Sequence, residues 1–156
     1  MFLVGGEAGD LEQIRPVFEA MGRAINHVGT HGMGTSLKVV VNMLLATAMA
    51  TFAEGMALGE SLGLSQETLL TVVIGGPIVA PFMVGKKSKM ETGDYEPEFP
   101  LQWMHKDLQM AALTAYETGV PLPVANASKE LYQLAVRDGL GEVDFSAIYA
   151  YLSGKN

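Results

Sequence analysis

The chain has 156 residues, of which 49% are hydrophobic and only 17% charged, against about 25% charged in an average domain, so a disordered tail is excluded. Ten basic against seventeen acidic residues give a net charge of −7, which argues against broad electrostatic binding to nucleic acid or to anionic lipid. Cysteine is absent, so disulfides, thiolate metal sites and cysteine nucleophiles are excluded, and a reducing compartment fits.

The chain opens on Met-Phe-Leu-Val-Gly-Gly-Glu, without the basic start and long apolar stretch of a signal peptide, and a cytoplasmic location is expected. Phe2-Leu3-Val4 before Gly5-Gly6 predicts a short strand entering a turn. Asp10 and Gln13 stand at capping-box spacing before Leu11, Ile14, Val17, Phe18 and Met21, a helical pattern with Pro16 inside it as a kink or a sign of a later start. Ala24 to Val28 reads as a second strand, so the first segment is a β-α-β piece of a larger α/β sheet. From Gly29 onward the pattern is helical: Thr35 to Leu62 stopped by Gly63, a helix capped by Ser65 and ending near Gly75-Gly76-Pro77, and an interrupted segment from Ile78 to Met90. After a polar loop from Glu91 to Pro100, helices follow at Leu101–Thr118 and about Pro123–Asp138, and one capped by Asp144 runs to Leu152. The expected architecture is mainly α, a helical bundle on a long central helix. It divides into a β-α-β segment over 1–29 and an all-helical domain over 30–156.

The uncharged run from Val39 to Ala53 is fifteen residues and contains Asn42, Thr47 and Thr51. A bilayer span needs roughly 18–20 apolar residues. The run is expected to be a helix buried on nearly all sides, in a core or at a subunit interface, and no membrane contact is expected.

Lys38 and Asn42 lie four residues apart on one helical face, flanked by Leu37, Val39, Val40, Val41, Met43, Leu44 and Leu45. Desolvation there would lower the lysine pKa and make it a proton donor or acceptor near neutrality. The alternative is a lysine snorkelling to solvent with Asn42 bonded to backbone, and spacing alone favours this second reading. The preceding Gly29-x-x-Gly32-x-Gly34 shifts the balance, because it lets backbone approach a ligand and the helix start offers amides to an anion. The spacing is not that of a dinucleotide loop, and Glu54, twenty residues past Gly34, sits inside a helix rather than after a strand. His27 and His31 lack partners at ligand spacing, so no metal is expected. Trp103 and His105 read as packing or surface residues, and Lys106-Asp107 on their own as a solvated pair.

The string Gly29-Thr-His-Gly32-Met-Gly34-Thr-Ser-Leu-Lys38-Val-Val-Val-Asn42 resembles the G-x-x-G-x-G-x-x-x-K-x-x-x-N signature of the β-hydroxyacid dehydrogenases, which include 3-hydroxyisobutyrate dehydrogenase and the glyoxylate/succinic semialdehyde reductases. The likeness continues through Thr51-Phe-Ala-Glu54-Gly, Phe99-Pro-Leu101 and Lys106-Asp107-Leu108. It implies that Lys38 is the catalytic lysine exchanging a proton with the substrate oxygen, that Asn42 orients lysine and substrate, and that Gly34 lies near the substrate carboxylate. Phe99 and Asp107 match positions by the substrate pocket and Lys106 the lysine that reaches a bound NADP or NAD. The initial β-α-β piece would then be the remnant of a Rossmann-type nucleotide domain whose glycine-rich loop is not in this sequence, and the chain alone is expected to be inactive or nearly so. The partner implied is a small carboxylate-bearing substrate; a second copy of the chain, joined through the 35–62 helix, is expected because one domain of this size struggles to cover so apolar a helix. The alternative is a non-catalytic helical dimerisation or interaction module. A catalytic and an interaction role separate on whether Lys38→Ala costs turnover or assembly.

Overall fold

In the computed structural model, which describes residues 1–155, apolar Phe2-Leu3-Val4 forms strand β1 (Phe2–Val4) and pairs in parallel with β2 (Ile25–His27), Leu3 facing Asn26. Helix α1 (Ala8–Met21) connects them. It begins at Glu7 with no side-chain cap, so the capping box expected from Asp10 and Gln13 does not form. Asp10 lies instead in the first turn, where its negative charge suits the helix N-terminus. The helix runs through Pro16 in an exposed position, where water can serve the carbonyl that proline leaves without a partner. Phe2 stacks on Phe18 with ring centroids 4.7 Å apart, and a Cβ on Gly22 would come within 2.5 Å of the Phe2 ring. This small sheet buries only Leu11 of α1 and leaves Ile14, Val17 and Met21 exposed.

The chain divides into two compact units, Met1–Asn42 and Met43–Asn156; Asn156, the last residue of the expected helical domain, lies outside the described residues. The long central helix, α2 (Met33–Ser61), starts two residues before the expected Thr35 and contributes to both units. At 29 residues, with a mean hydropathy of 1.6 over its most apolar window, it is long and apolar enough to cross a bilayer, unlike the shorter run judged from sequence. Burial on nearly all sides is not found either. One stripe, Ala46, Met49, Ala50, Phe52, Ala53, Met56 and Gly59, is buried, while Val40, Leu44 and Leu58 stand 47%, 57% and 61% exposed. The small residues in that stripe let neighbouring helices come close: a Cβ on Gly59 would meet Leu69 at 2.6 Å, and the buried Tyr132 hydroxyl donates to the Ala46 carbonyl at 3.4 Å.

The second unit is a helical bundle. Ser65 caps α3 (Gln66–Gly75) by accepting from the Thr68 amide at 3.2 Å. The interrupted segment resolves into a turn at 78–81 and helix α4 (Phe82–Thr92), which extends past the expected Met90. Helix α5 (Leu101–Thr118) ends on Gly119, whose φ of +72° is open to glycine and costly for other residues. Helix α6 (Pro123–Ala135) ends earlier than expected, passing at Val136–Leu140 into a π turn with Gly139 at φ +99°. Asp144 caps a 3-10 turn at Phe145–Ala147 rather than the last helix itself, and α7 (Ile148–Leu152) follows. Leu70, Leu101, Met104, Leu108, Tyr132, Ile148 and Tyr149 form the centre of the core.

Candidate active site

In the first unit, the glycine loop bends through Gly29 at φ +123° and Gly32 at φ +90°, conformations that side chains resist. Gly34 has a structural duty of its own: a Cβ there would sit 2.5 Å from the Leu3 carbonyl oxygen, so the start of α2 can press on β1 only because that position is bare. A shallow cleft of about 300 Å³ opens beside it, lined by residues that include Gly5, His31, Gly32, Gly34 and Thr35. His27 Nε2 donates to the Gly6 carbonyl at 2.7 Å. The amide of Met33 is already bonded to the Thr30 carbonyl at 3.1 Å, which leaves fewer donors for an anion than the expected start at Thr35 would.

Lys38 and Asn42 follow one turn apart on α2. Neither lines the glycine cleft. Asn42 is half-buried, whereas Lys38 is exposed, so the desolvation expected from its apolar neighbours is not found. Two three-residue strands and one helix do not wrap this face of α2. Both side chains are engaged by neighbouring groups.

In the second unit, α5 carries Lys106 and Asp107. They are not the solvated pair that adjacency suggests: Asp107 is buried at 3% exposure, and its Oδ1 lies 2.8 Å from the Lys106 ammonium, which reaches outward. Trp103, half-exposed one turn earlier, places its ring 5.8 Å from the same ammonium. His105 is half-buried; burial, and then the nearby Lys129, hold its pKa below the usual histidine value. Lys106 thus presents a half-exposed cation, paired with Asp107, beside the exposed ring of Trp103. Among the described residues, no three His, Asp or Glu side chains converge to hold a metal ion.

Phe99 lies on the loop entering α5, and there the structure shows a site that sequence reasoning missed. Asp144 is fully buried and 6%-exposed Lys86 is paired with it at 2.9 Å. Its Oδ2 also accepts from the amides of Glu98 at 3.1 Å and Phe99 at 3.2 Å, while Oδ1 accepts from the Ser146 amide and hydroxyl at 3.1 and 2.7 Å. Burial alone would raise the Asp144 pKa, but the Ser146 hydroxyl, the Lys86 ammonium and the Ser146 amide together hold it below the ordinary aspartate value. Lys86 also reaches Glu98 at 2.8 Å, which lowers that exposed carboxyl. In the sequence Lys86 is one of three lysines in four residues, a pattern that reads as a solvated helix end. The local clue, Asp144 two residues before Ser146, says nothing of a cation 58 residues away.

Compared with known proteins, residues 32–152 match the family described as NAD-binding of NADP-dependent 3-hydroxyisobutyrate dehydrogenase. The chain is 35% identical over 148 residues to glyoxylate/succinic semialdehyde reductase 1 of Arabidopsis thaliana, covering 95% of this chain and 51% of the relative. It is 33% identical to the human cytokine-like nuclear factor N-PAC over 97% of this chain and 28% of that protein. Its fold superposes on Mycobacterium tuberculosis 3-hydroxyisobutyrate dehydrogenase, solved with L-serine, at a TM-score of 0.79 and 31% identity, covering 95% of this chain and 53% of that one. The chain thus spans about half the length of the dehydrogenase and reductase relatives it matches.

Proposed function

From the premise that the chain belongs to the NADP-dependent 3-hydroxyisobutyrate dehydrogenase family, we propose that it is the helical, substrate-handling part of a nicotinamide-dependent oxidoreductase. Its substrates are small carboxylate-bearing β-hydroxyacids or the corresponding aldehydes. The observation that carries this reading is the family match across 32–152, joined to the placement of Lys38 and Asn42 one turn apart at the start of α2. Lys38, exposed on α2, meets a substrate oxygen in this reading. Lys38 gives that oxygen a proton as a carbonyl is reduced and takes it back in oxidation, and Asn42 orients the group from the next turn. Gly34 borders the carboxylate, Phe99 and Asp107 border the substrate pocket, and Lys106 contacts the cofactor. NADP or NAD, when bound, supplies the hydride.

Two relatives support the small-acid class: the Arabidopsis protein is named for glyoxylate and succinic semialdehyde, and the Mycobacterium structure holds L-serine. N-PAC, named as a nuclear factor rather than an enzyme, favours the second reading of a non-catalytic helical module. Positioning of hydride donor and acceptor accounts for much of such a reaction's rate. The chain alone, given succinic semialdehyde and NADPH, should therefore show no turnover. The same chain joined behind the unmatched half of the Arabidopsis reductase should turn over. Turnover by the chain alone contradicts its assignment as one part of the catalytic unit, and an inert but folded fusion favours the non-catalytic module.

We also propose assembly through α2. Leu44 and Leu58 on its open face, with Ile78 at 80% exposure, present apolar surface to solvent. Leu44 and Ile78 border a groove of about 590 Å³. A second copy covering this face would remove that surface from water.

A further inference from the structure

The buried Lys86–Asp144 pair has no part in the chemistry above. Taking two charges out of water is costly, and an apolar pair of the same size often stabilises a fold as well, so stability is a weak reason for it. What an ion pair supplies and an apolar pair cannot is direction. The two oxygens of Asp144 divide their work. Oδ1 is anchored in its own turn by the Ser146 amide and hydroxyl, at 3.1 and 2.7 Å. Oδ2 faces away, to the amides of Glu98 and Phe99, and Lys86 fixes that oxygen from a different side at 2.9 Å.

Phe99 is therefore held at both ends of its backbone. Its amide donates to Asp144, and its carbonyl accepts from the Phe145 amide at 2.9 Å. Its ring meets Phe145 edge-on at 6.1 Å, and the Lys86 ammonium lies 5.1 Å from the centre of that same Phe145 ring. Lys86 and the adjacent Asp144 and Phe145, from two separate stretches of chain, converge on one loop residue and fix where its side chain stands.

We infer that Asp144, with Lys86 locking its outward oxygen, is a positioning residue that places Phe99 and so sets how tightly the small acid is held. The inference rests on the proposed place of Phe99 beside the substrate pocket. Removing Asp144 or Lys86 loosens a binding contact and leaves the proton-transfer groups alone, so the loss falls on KM rather than kcat.

Two readouts test it. In the chain itself, Asp144→Asn should speed local, denaturant-independent hydrogen exchange at the Phe99 amide by about tenfold or more, while the core amides of Leu108 and Tyr132 continue to exchange through denaturant-sensitive global unfolding. In the fusion with the Arabidopsis half, Asp144→Asn and Lys86→Met should raise KM for succinic semialdehyde about tenfold, with kcat within about twofold of the parent. Lys86→Met leaves the Ser146 and amide bonds of Asp144 in place and carries the test if Asp144→Asn does not fold. Unchanged local exchange at Phe99 overturns the inference, as does an unchanged KM in a fusion where Phe99→Ala raises it. If Phe99→Ala leaves KM alone, the placement of Phe99 in the pocket fails instead, and exchange still decides whether Asp144 positions it.

Discussion

A lysine on an apolar helix can be read as buried or as snorkelling, and exposure decides between them. Lys38 is exposed, so its proposed chemistry draws on reach and on Asn42 one turn away rather than on a dry pocket in this chain. Asp144 shows the opposite environment, a carboxylate with no exposure at all, held charged by Ser146 and Lys86 against the cost of burial. The linkage has a definite sign. A carboxyl whose folded pKa is depressed stabilises the fold above its unfolded value, here 3.8, and that contribution is lost as pH falls through the folded value. Asp144→Asn should lower stability at neutral pH by about 3 kcal/mol, as expected when one partner of a buried pair is removed. Denaturant titrations across pH should show the gap between parent and variant constant above about pH 5 and narrowing below about pH 4. A gap that stays constant into acid would show that Asp144 carries no such linkage.

At the scale of elements, the sequence was legible where signals are local. Helix stops at Gly63 and Gly119 fall where both glycines take positive φ, and Ser65 caps α3 as its position implies. The parallel β-α-β opening and the 29-residue α2 were read within a few residues of their observed ends. What escaped depends on tertiary contact. Asp107 looked solvated because its neighbour is a lysine, yet α5 turns it into the core. Lys86 looked like one of a charged run, and its partner is 58 residues away. The long helix looked buried all round because composition cannot tell which face a neighbour covers. That open face carries the assembly proposal. Light scattering should find the parent chain dimeric or larger, and Leu44→Glu should shift it to monomer with its helical circular dichroism intact. A monomeric parent, or a variant that assembles unchanged, contradicts association through α2.

For the whole molecule, family membership and the fold are established, and the division of labour is the proposal: a helical part that handles the substrate and its proton, working with a nucleotide-binding half. N-PAC shows that a close relative of this sequence can carry the name of a nuclear factor, so likeness alone does not make the chain catalytic. The most direct test is steady-state reduction of succinic semialdehyde by the fusion with Lys38→Ala beside its parent. A proton-transfer role predicts a fall in kcat of about 100-fold or more with oligomer size unchanged, and kcat retained within about threefold would contradict it.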